Sequence, residues 1–424
     1  MNCKHLFRVM LCAVVFAAAG RSDDGTAPPG PPAVGSARNT GLPIRIVPSN
    51  ARVVAWDDML RFDIDLPSAR TSPRANLPEL DALPMQQEES ETAARRPSHS
   101  AASALVRNVL GGRASAPTLG LRFKAADRTD TIDDMWPEGI RPPDTMGAVG
   151  PNHFVEAING NVSIFDKATG YGLSSVSLLA FFTEVHTEDI PFDPRVVFDH
   201  HSGRWVVMAA DCRCTPNTIV FAVSRTEDPT DSWILVGFPA GGFADYPTLG
   251  VDADGIYIAA NISEKVWAIE KAPLLEDPPS VGVITEWTVF LDGALHPAHT
   301  YGTPGVQYFV ETNGLSALRI HQLEGPLTDP TLTILGTVAV PSFSTPPNAP
   351  ALSSTVLISV GNGAGRRLQM AVFRDGSLWT AHTVTQNGRA ACRWYQLDPV
   401  NLTLIQSGTV GHPSLHYYYP SIIV

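Results

Sequence analysis

Asp245-Tyr-Pro-Thr-Leu-Gly-Val-Asp-Ala-Asp-Gly-Ile-Tyr-Ile-Ala-Ala-Asn261 decides the fold. A short apolar run reaches an Asp-Gly turn and a second apolar run follows, which is the pattern of a tight hairpin. The same shape recurs in Pro143-Asp-Thr-Met-Gly-Ala-Val-Gly-Pro-Asn-His-Phe-Val-Glu-Ala-Ile-Asn159 and in Asp193-Pro-Arg-Val-Val-Phe-Asp-His-His-Ser-Gly-Arg-Trp-Val-Val-Met208. Weaker copies start near Thr303 and Leu368, and Tyr419-Pro-Ser-Ile-Ile-Val424 opens a sixth. With Thr145, Arg195, Thr248, Thr303, Leu368 and Ser421 as equivalents, the period is roughly 50 to 65 residues. Strand-like units repeating at this length indicate an all-β chain, a β-propeller of four-stranded blades.

Each unit divides into four β-rich runs. In the second they are Arg195 to Asp199, Arg204 to Ala210, Thr218 to Ser224 and Trp233 to Phe238, separated by turn-forming residues. Five complete blades and the start of a sixth follow from this division. A propeller must close its ring to hide the last apolar face. The reading is therefore a C-terminally truncated piece of a six- or seven-bladed parent. In the alternative, the tail 420–424 joins strands from residues 44–65 to finish the ring.

Upstream of the repeats the composition changes. Residues 1–19 resemble a secretory leader: Lys4 and Arg8 precede an apolar core, and Ala17-Ala-Ala19 offers small residues for cleavage. That core is too short to span a bilayer, so export to the envelope or outside is expected, with no membrane span. Residues 20–126 are rich in Pro, Ala and Ser and read as largely disordered. Within them lies a strand-like island, 44–65, made of Ile44 to Val47, Arg52 to Trp56 and Leu60 to Asp65. Residues 127–424 form the propeller.

The formal net charge of −12 argues against a nucleic-acid partner, which would need a basic stripe. Cys212, Cys214 and Cys392 remain after the leader, and three thiols cannot all pair within one chain; their pairing is left open. His200-His201, His296-x-x-His299 and His412-x-x-x-His416 lack a third ligand at regular spacing, and Asp252-Ala-Asp254-Gly255 lacks the rest of a calcium loop. No metal and no cofactor is expected.

The phrases Pro142-Pro-Asp-Thr-Met-Gly-Ala-Val-Gly-Pro-Asn-His-Phe-Val-Glu156, Phe165-Asp-Lys-Ala-Thr-Gly170, Arg393-Trp-Tyr-Gln-Leu397 and Tyr418-Tyr-Pro-Ser421 resemble a family of secreted bacterial proteins with sialidase-like propellers. The resemblance covers about Pro142 to Val424. It implies the fold and export and names no reaction.

Position then supplies the candidate site. Residues at the start of each unit's first strand should face the central channel: Asp144, Asp193, Arg195, Asp245, Tyr246, His299, Tyr301, Tyr418 and Tyr419. Such a ring suits a polar ligand. The expectation is an exported binding or surface-interaction module for an extracellular glycan or protein, of open oligomeric state. The alternative is a glycoside hydrolase of sialidase type, which would draw on Arg195, Arg204, Arg319, Arg367 and Arg393 with a tyrosine nucleophile. No catalytic residue is assigned from the sequence.

Overall fold

The computed structural model describes residues 13–15, 43–46, 48, 50–65, 120–131, 139–185, 191–211, 217–260, 264–289, 293–351, 357–360 and 367–424. Five antiparallel blades follow one another along the chain, and the architecture is a β-propeller. The first blade is Met146–Val149, His153–Ile158, Asn161–Asp166 and Gly172–Ser177. The second is Phe192–Asp199, Arg204–Asp211, Thr218–Ser224 and Ser232–Pro239. Thr248–Val251, Gly255–Ala260, Lys265–Glu270 and Ile284–Thr288 make the third. The fourth is His296–Pro297, Gln307–Asn313, Ala317–Glu324 and Thr331–Ala339, and the fifth is Leu368–Arg374, Ser377–Gln386, Arg389–Asp398 and Thr403–Val410.

Blade faces stack on one another, so the middle strands are apolar on both sides. Arg204–Asp211 is buried along nearly its whole length. Phe221, Phe238 and Trp267 fill the space between the second and third blades, Tyr257 and Phe309 meet between the third and fourth, and Tyr308 and Phe373 between the fourth and fifth. Near the axis the inner strands touch backbone to backbone. A Cβ on Gly250 would sit 2.5 Å from the Ala298 carbonyl oxygen, so only glycine fits between the third and fourth blades. The Asp252-Ala-Asp254-Gly255 turn is a hairpin: Asp252 Oδ1 accepts the N–H groups of Asp254 and Gly255 at 2.9 and 2.8 Å.

The fourth blade corrects the sequence reading. Its inner strand begins at His296, not near Thr303, and pairs with Phe309 and Val310. His299 and Thr300 then leave it to run parallel with Val372 and Phe373 of the fifth blade. Pro304 lacks a donor, and Gly302 and Gly305 adopt φ of 75° and 78°, so 301–306 cannot sustain a ladder.

The 44–65 segment is a strap around the outside. Arg52–Ala55 adds a fifth strand to the second blade and Ile44–Ile46 adds one to the third. Among the described residues it does not pair with 420–424, as the ring-closing alternative required. Ser421–Ile423 instead runs parallel to Ala13–Val15, and Ile422 packs beside Val372 and Trp379 of the fifth blade. Leu60 to Asp65, read as a strand, belongs to the helix Trp56–Asp65. Trp56, Met59 and Asp63 fall three or four residues apart and share the face turned to the first blade. Asp57 and Asp58 suit the positive end of the helix dipole.

Trp56 is the strap's anchor. It is 2% exposed, lies edge-on to Phe181 at 6.0 Å, and donates from Nε1 to Ser174 Oγ at 2.9 Å. Trp56→Ala is expected to cost about 3–5 kcal/mol, read as a lowered melting temperature of the whole domain. An unchanged melt would mean that the strap adds nothing to the blades. Among the described residues no helix is long and apolar enough to cross a membrane. Cys212 and Cys214 lie outside the described residues, and Cys392 is buried.

Candidate functional site

Four blade starts share an unusual backbone. Asp144, Asp193, Tyr246 and Tyr419 have φ of 43°, 52°, 49° and 53°, where side chains other than glycine's are strained. Each conformation costs on the order of 1 kcal/mol or more. The strain recurs at equivalent places in the repeat, and Asp144, Asp193 and Tyr246 join one shared network at the channel mouth.

The network steps from blade to blade. Asn159 of the first blade donates from Nδ2 to Asp144 Oδ2 at 2.8 Å, and its Oδ1 accepts the Asp193 N–H at 2.7 Å. Asp193 Oδ2 accepts the Tyr246 N–H at 3.0 Å. Arg195 donates from Nε to the Pro247 carbonyl at 2.7 Å. Tyr246 reaches across the axis, its hydroxyl donating to the Leu368 carbonyl at 3.1 Å. The guanidinium carbons of Arg195 and Arg367 lie 4.8 and 4.4 Å from the Tyr246 ring centre. Arg367 Nη2 also lies 3.6 Å from Asp245 Oδ2.

Three carboxyls in one mouth strain its electrostatics. Burial, then the charge and hydrogen bond of Asp193, push the Asp144 carboxyl up to about 7, against smaller opposing pulls from Arg195 and Asn159. Burial and the Asp193 charge also raise Asp245, partly offset by Arg367. His296 packs beside Tyr246 at 6.0 Å, and burial with the Arg195 charge drives its imidazole down to about 3. Its Nε2 is buried with no hydrogen-bond partner among the described residues. The mouth therefore holds a carboxyl that gains and loses its proton near neutral pH, further carboxyls, two guanidiniums and a neutral imidazole.

Of the candidates named from sequence, Asp144, Asp193, Arg195, Asp245, Tyr246 and Tyr419 converge here. Tyr419 is 43% exposed, and Asp144, Tyr246 and Arg367 all influence its phenol. Tyr418 turns away and packs with Ala349, Ile358, Val360 and Ala390. His299 and Tyr301 lie at the opposite mouth with His200, whose ring centre is 5.5 and 4.4 Å from theirs. Arg195 lies within the second blade's inner strand and His200 follows its end, so five residues separate the two groups by roughly 16 Å at the rise of a strand. Asn159 joins the mouth without having been named, and His296 and Arg367 join it although they were read only as part of a histidine pair and as one of the sialidase-type arginines. Asn159 closes a hairpin strand and Arg367 precedes one by a single residue, so neither had a signal beyond its place in the repeat. The five arginines of the sialidase alternative do not gather: Arg319 pairs with Glu311 at 3.0 Å inside the fourth blade, and Arg393 bonds the Pro341 and Ser342 carbonyls. Arg204 sits near Arg225.

No family model and no curated protein matches the chain. Solved structures do. An exo-β-1,3-galactanase from Phanerochaete chrysosporium is 12% identical, with 63% of each chain covered and a TM-score of 0.35. Bacillus subtilis arabinanase is 13% identical over 62% of this chain and 96% of its own, at a TM-score of 0.34. Hydrazine synthase from Kuenenia stuttgartiensis matches at 9% identity, covering 61% and 64%, with a TM-score of 0.32. The chain thus spans about 63% of the galactanase. Neither a substrate nor a reaction transfers to it at this level of similarity.

Proposed function

We propose that the Asp144 mouth binds a glycan and hydrolyses a glycosidic bond. The observation that carries this is the buried Asp144 carboxyl, set beside Asp193 and Asp245 and pushed up to about 7 by burial and by Asp193. Glycoside hydrolysis needs one carboxylic acid to protonate the leaving oxygen and a second carboxylate to act on water or on the sugar. Asp144 is the acid. Asp193, within hydrogen-bonding reach, is too close to serve as its partner across a sugar ring and acts by holding the proton on Asp144. Asp245, which feels Asp193 as a charge only, is the second carboxylate; its raised pKa favours taking a proton from water. Arg195 and Arg367 hold Tyr246 between them as one wall of the site. The sialidase-like reading would require a third converging arginine. The leader-like residues 1–19 support export to where such polymers occur.

One observation favours recognition without turnover. The polar groups of the ring are largely engaged with the protein itself: Tyr246 with the Leu368 carbonyl, and Tyr419 with the Ser359 carbonyl at 2.8 Å. Reducing-sugar release from a broad set of polysaccharides, run beside a glycan array, separates the two readings. Release that vanishes in Asp245→Asn supports hydrolysis. Array binding with no release by the wild type leaves the binding module, and silence in both removes the site.

A further inference from the structure

The opposite mouth of the channel holds side chains that the carboxyl cluster does not use. An open cleft of about 600 Å³ is lined there by His200, Tyr301, Thr303, Pro304, Arg374 and Asp375, with glycine backbone between them. Its parts come from three blades. His200 follows the second blade's inner strand, Tyr301 leaves the fourth, and Arg374 and Asp375 form the first hairpin turn of the fifth. The Tyr301 N–H donates to the Phe373 carbonyl at 2.8 Å, which fixes its ring over the turn.

Two features narrow the ligand. The walls combine an aromatic platform with apolar stems: the His200 and Tyr301 rings are 4.4 Å apart and inclined by only 20°, and the Arg374 guanidinium carbon lies 5.1 Å from the Tyr301 ring centre. The charges cancel, since Arg374 Nε is 3.8 Å from Asp375 Oδ2 and that carboxylate is well exposed. A donor beside an acceptor matches adjacent hydroxyls, each of which both gives and takes a hydrogen bond. An anion would meet the Asp375 carboxylate and would be repelled.

We propose that this cleft binds a neutral sugar unit of a glycan chain, as a second site at the far mouth. The site stands on its own side chains and does not require the carboxyl mouth to be catalytic. Thr303 and the Tyr301 hydroxyl supply further hydrogen-bonding groups, and the Arg374 guanidinium, held over the Tyr301 ring, offers donors to the saccharide hydroxyls.

Titration calorimetry of the full chain against xylohexaose, cellohexaose, laminarihexaose and tetragalacturonate tests it. The expected result is binding of at least one neutral oligosaccharide, weakened about tenfold or more by His200→Ala or Asp375→Ala. Asp144→Asn should leave that affinity unchanged, so loss of hydrolysis and loss of this site are read separately. Tyr301→Phe keeps the ring and the fold and isolates the hydroxyl, with a smaller loss expected. No binding to any neutral oligosaccharide, binding of tetragalacturonate alone, or equal affinity in His200→Ala and Asp375→Ala would overturn the proposal.

Discussion

Asp144→Asn is expected to lower reducing-sugar release by about 10²–10⁴-fold, the usual contribution of a positioned general acid. The amide keeps the shape and can still bond Asn159, but it has no proton to give the leaving oxygen. A pH signature accompanies the loss. Asp144 is raised to about 7 in the folded chain, chiefly by burial and by Asp193, against an ordinary carboxyl near 4 when unfolded. Between those values the native state holds a proton that the unfolded state has released, so stability falls as pH rises through the window. Below it, the contribution is fully present. Wild type should therefore melt higher at pH 5 than at pH 8 by more than Asp144→Asn does, and its activity should decline above about pH 7. Unchanged turnover in the variant would remove Asp144 from the mechanism, and an unchanged pH dependence of melting would show that its carboxyl is not held protonated.

Lys271→Ala should be the most destabilising single change among the charged residues, at about 3–5 kcal/mol. Lys271 is 1% exposed, and its Nζ donates to Asp199 Oδ2 at 2.7 Å and to the Asp252 carbonyl, joining the second and third blades. Removing the ammonium strands a fully buried carboxylate. Replacing both partners, Lys271→Met with Asp199→Leu, should recover much of the loss. Burial alone would raise the Asp199 carboxyl, but Lys271, the Ser202 hydroxyl and the His201 N–H outweigh it and hold it below the ordinary range. This lowered carboxyl contributes stability above the ordinary carboxylate range, lost as pH falls through its folded value. In Lys271→Ala that acid sensitivity should reverse, because burial is then opposed only by neutral donors. Chemical denaturation of the three proteins across pH 3 to 7 checks both statements. A single variant as stable as wild type would show that the pair does not bind the blades together.

The legible part of this protein was local. Apolar runs broken by Asp-Gly and Ser-Gly turns determine hairpins, through positive φ at Gly203 and at Asp375 and Gly376 and through the Asp252 side chain in the third blade, and the second, third and fifth blades lie where those turns put them. The fourth blade was expected, but its inner strand was misplaced because its signal is negative. Pro297, Pro304 and two glycines erase the strand pattern, and the inner strand is divided between two blades. The strap's helix escaped because ten residues show too few turns for periodicity to exceed the apolar clustering of a strand.

Repeat position likewise carried the candidate site only part of the way. That Asp144, Asp193, Asp245 and Tyr246 would face one another follows from their shared place at the blade starts. That Asp144 keeps its proton, that Tyr246 is held between Arg195 and Arg367, and that His299 and Tyr301 belong to the other mouth follow from contacts between residues 34 to 122 positions apart. By itself the amino-acid sequence determined the β units, their turns and their order, because those rest on alternation and backbone conformation within a few residues. Only the tertiary structure decided the chemistry of the two mouths, because a carboxyl's proton depends on burial and on charges brought to it from other blades.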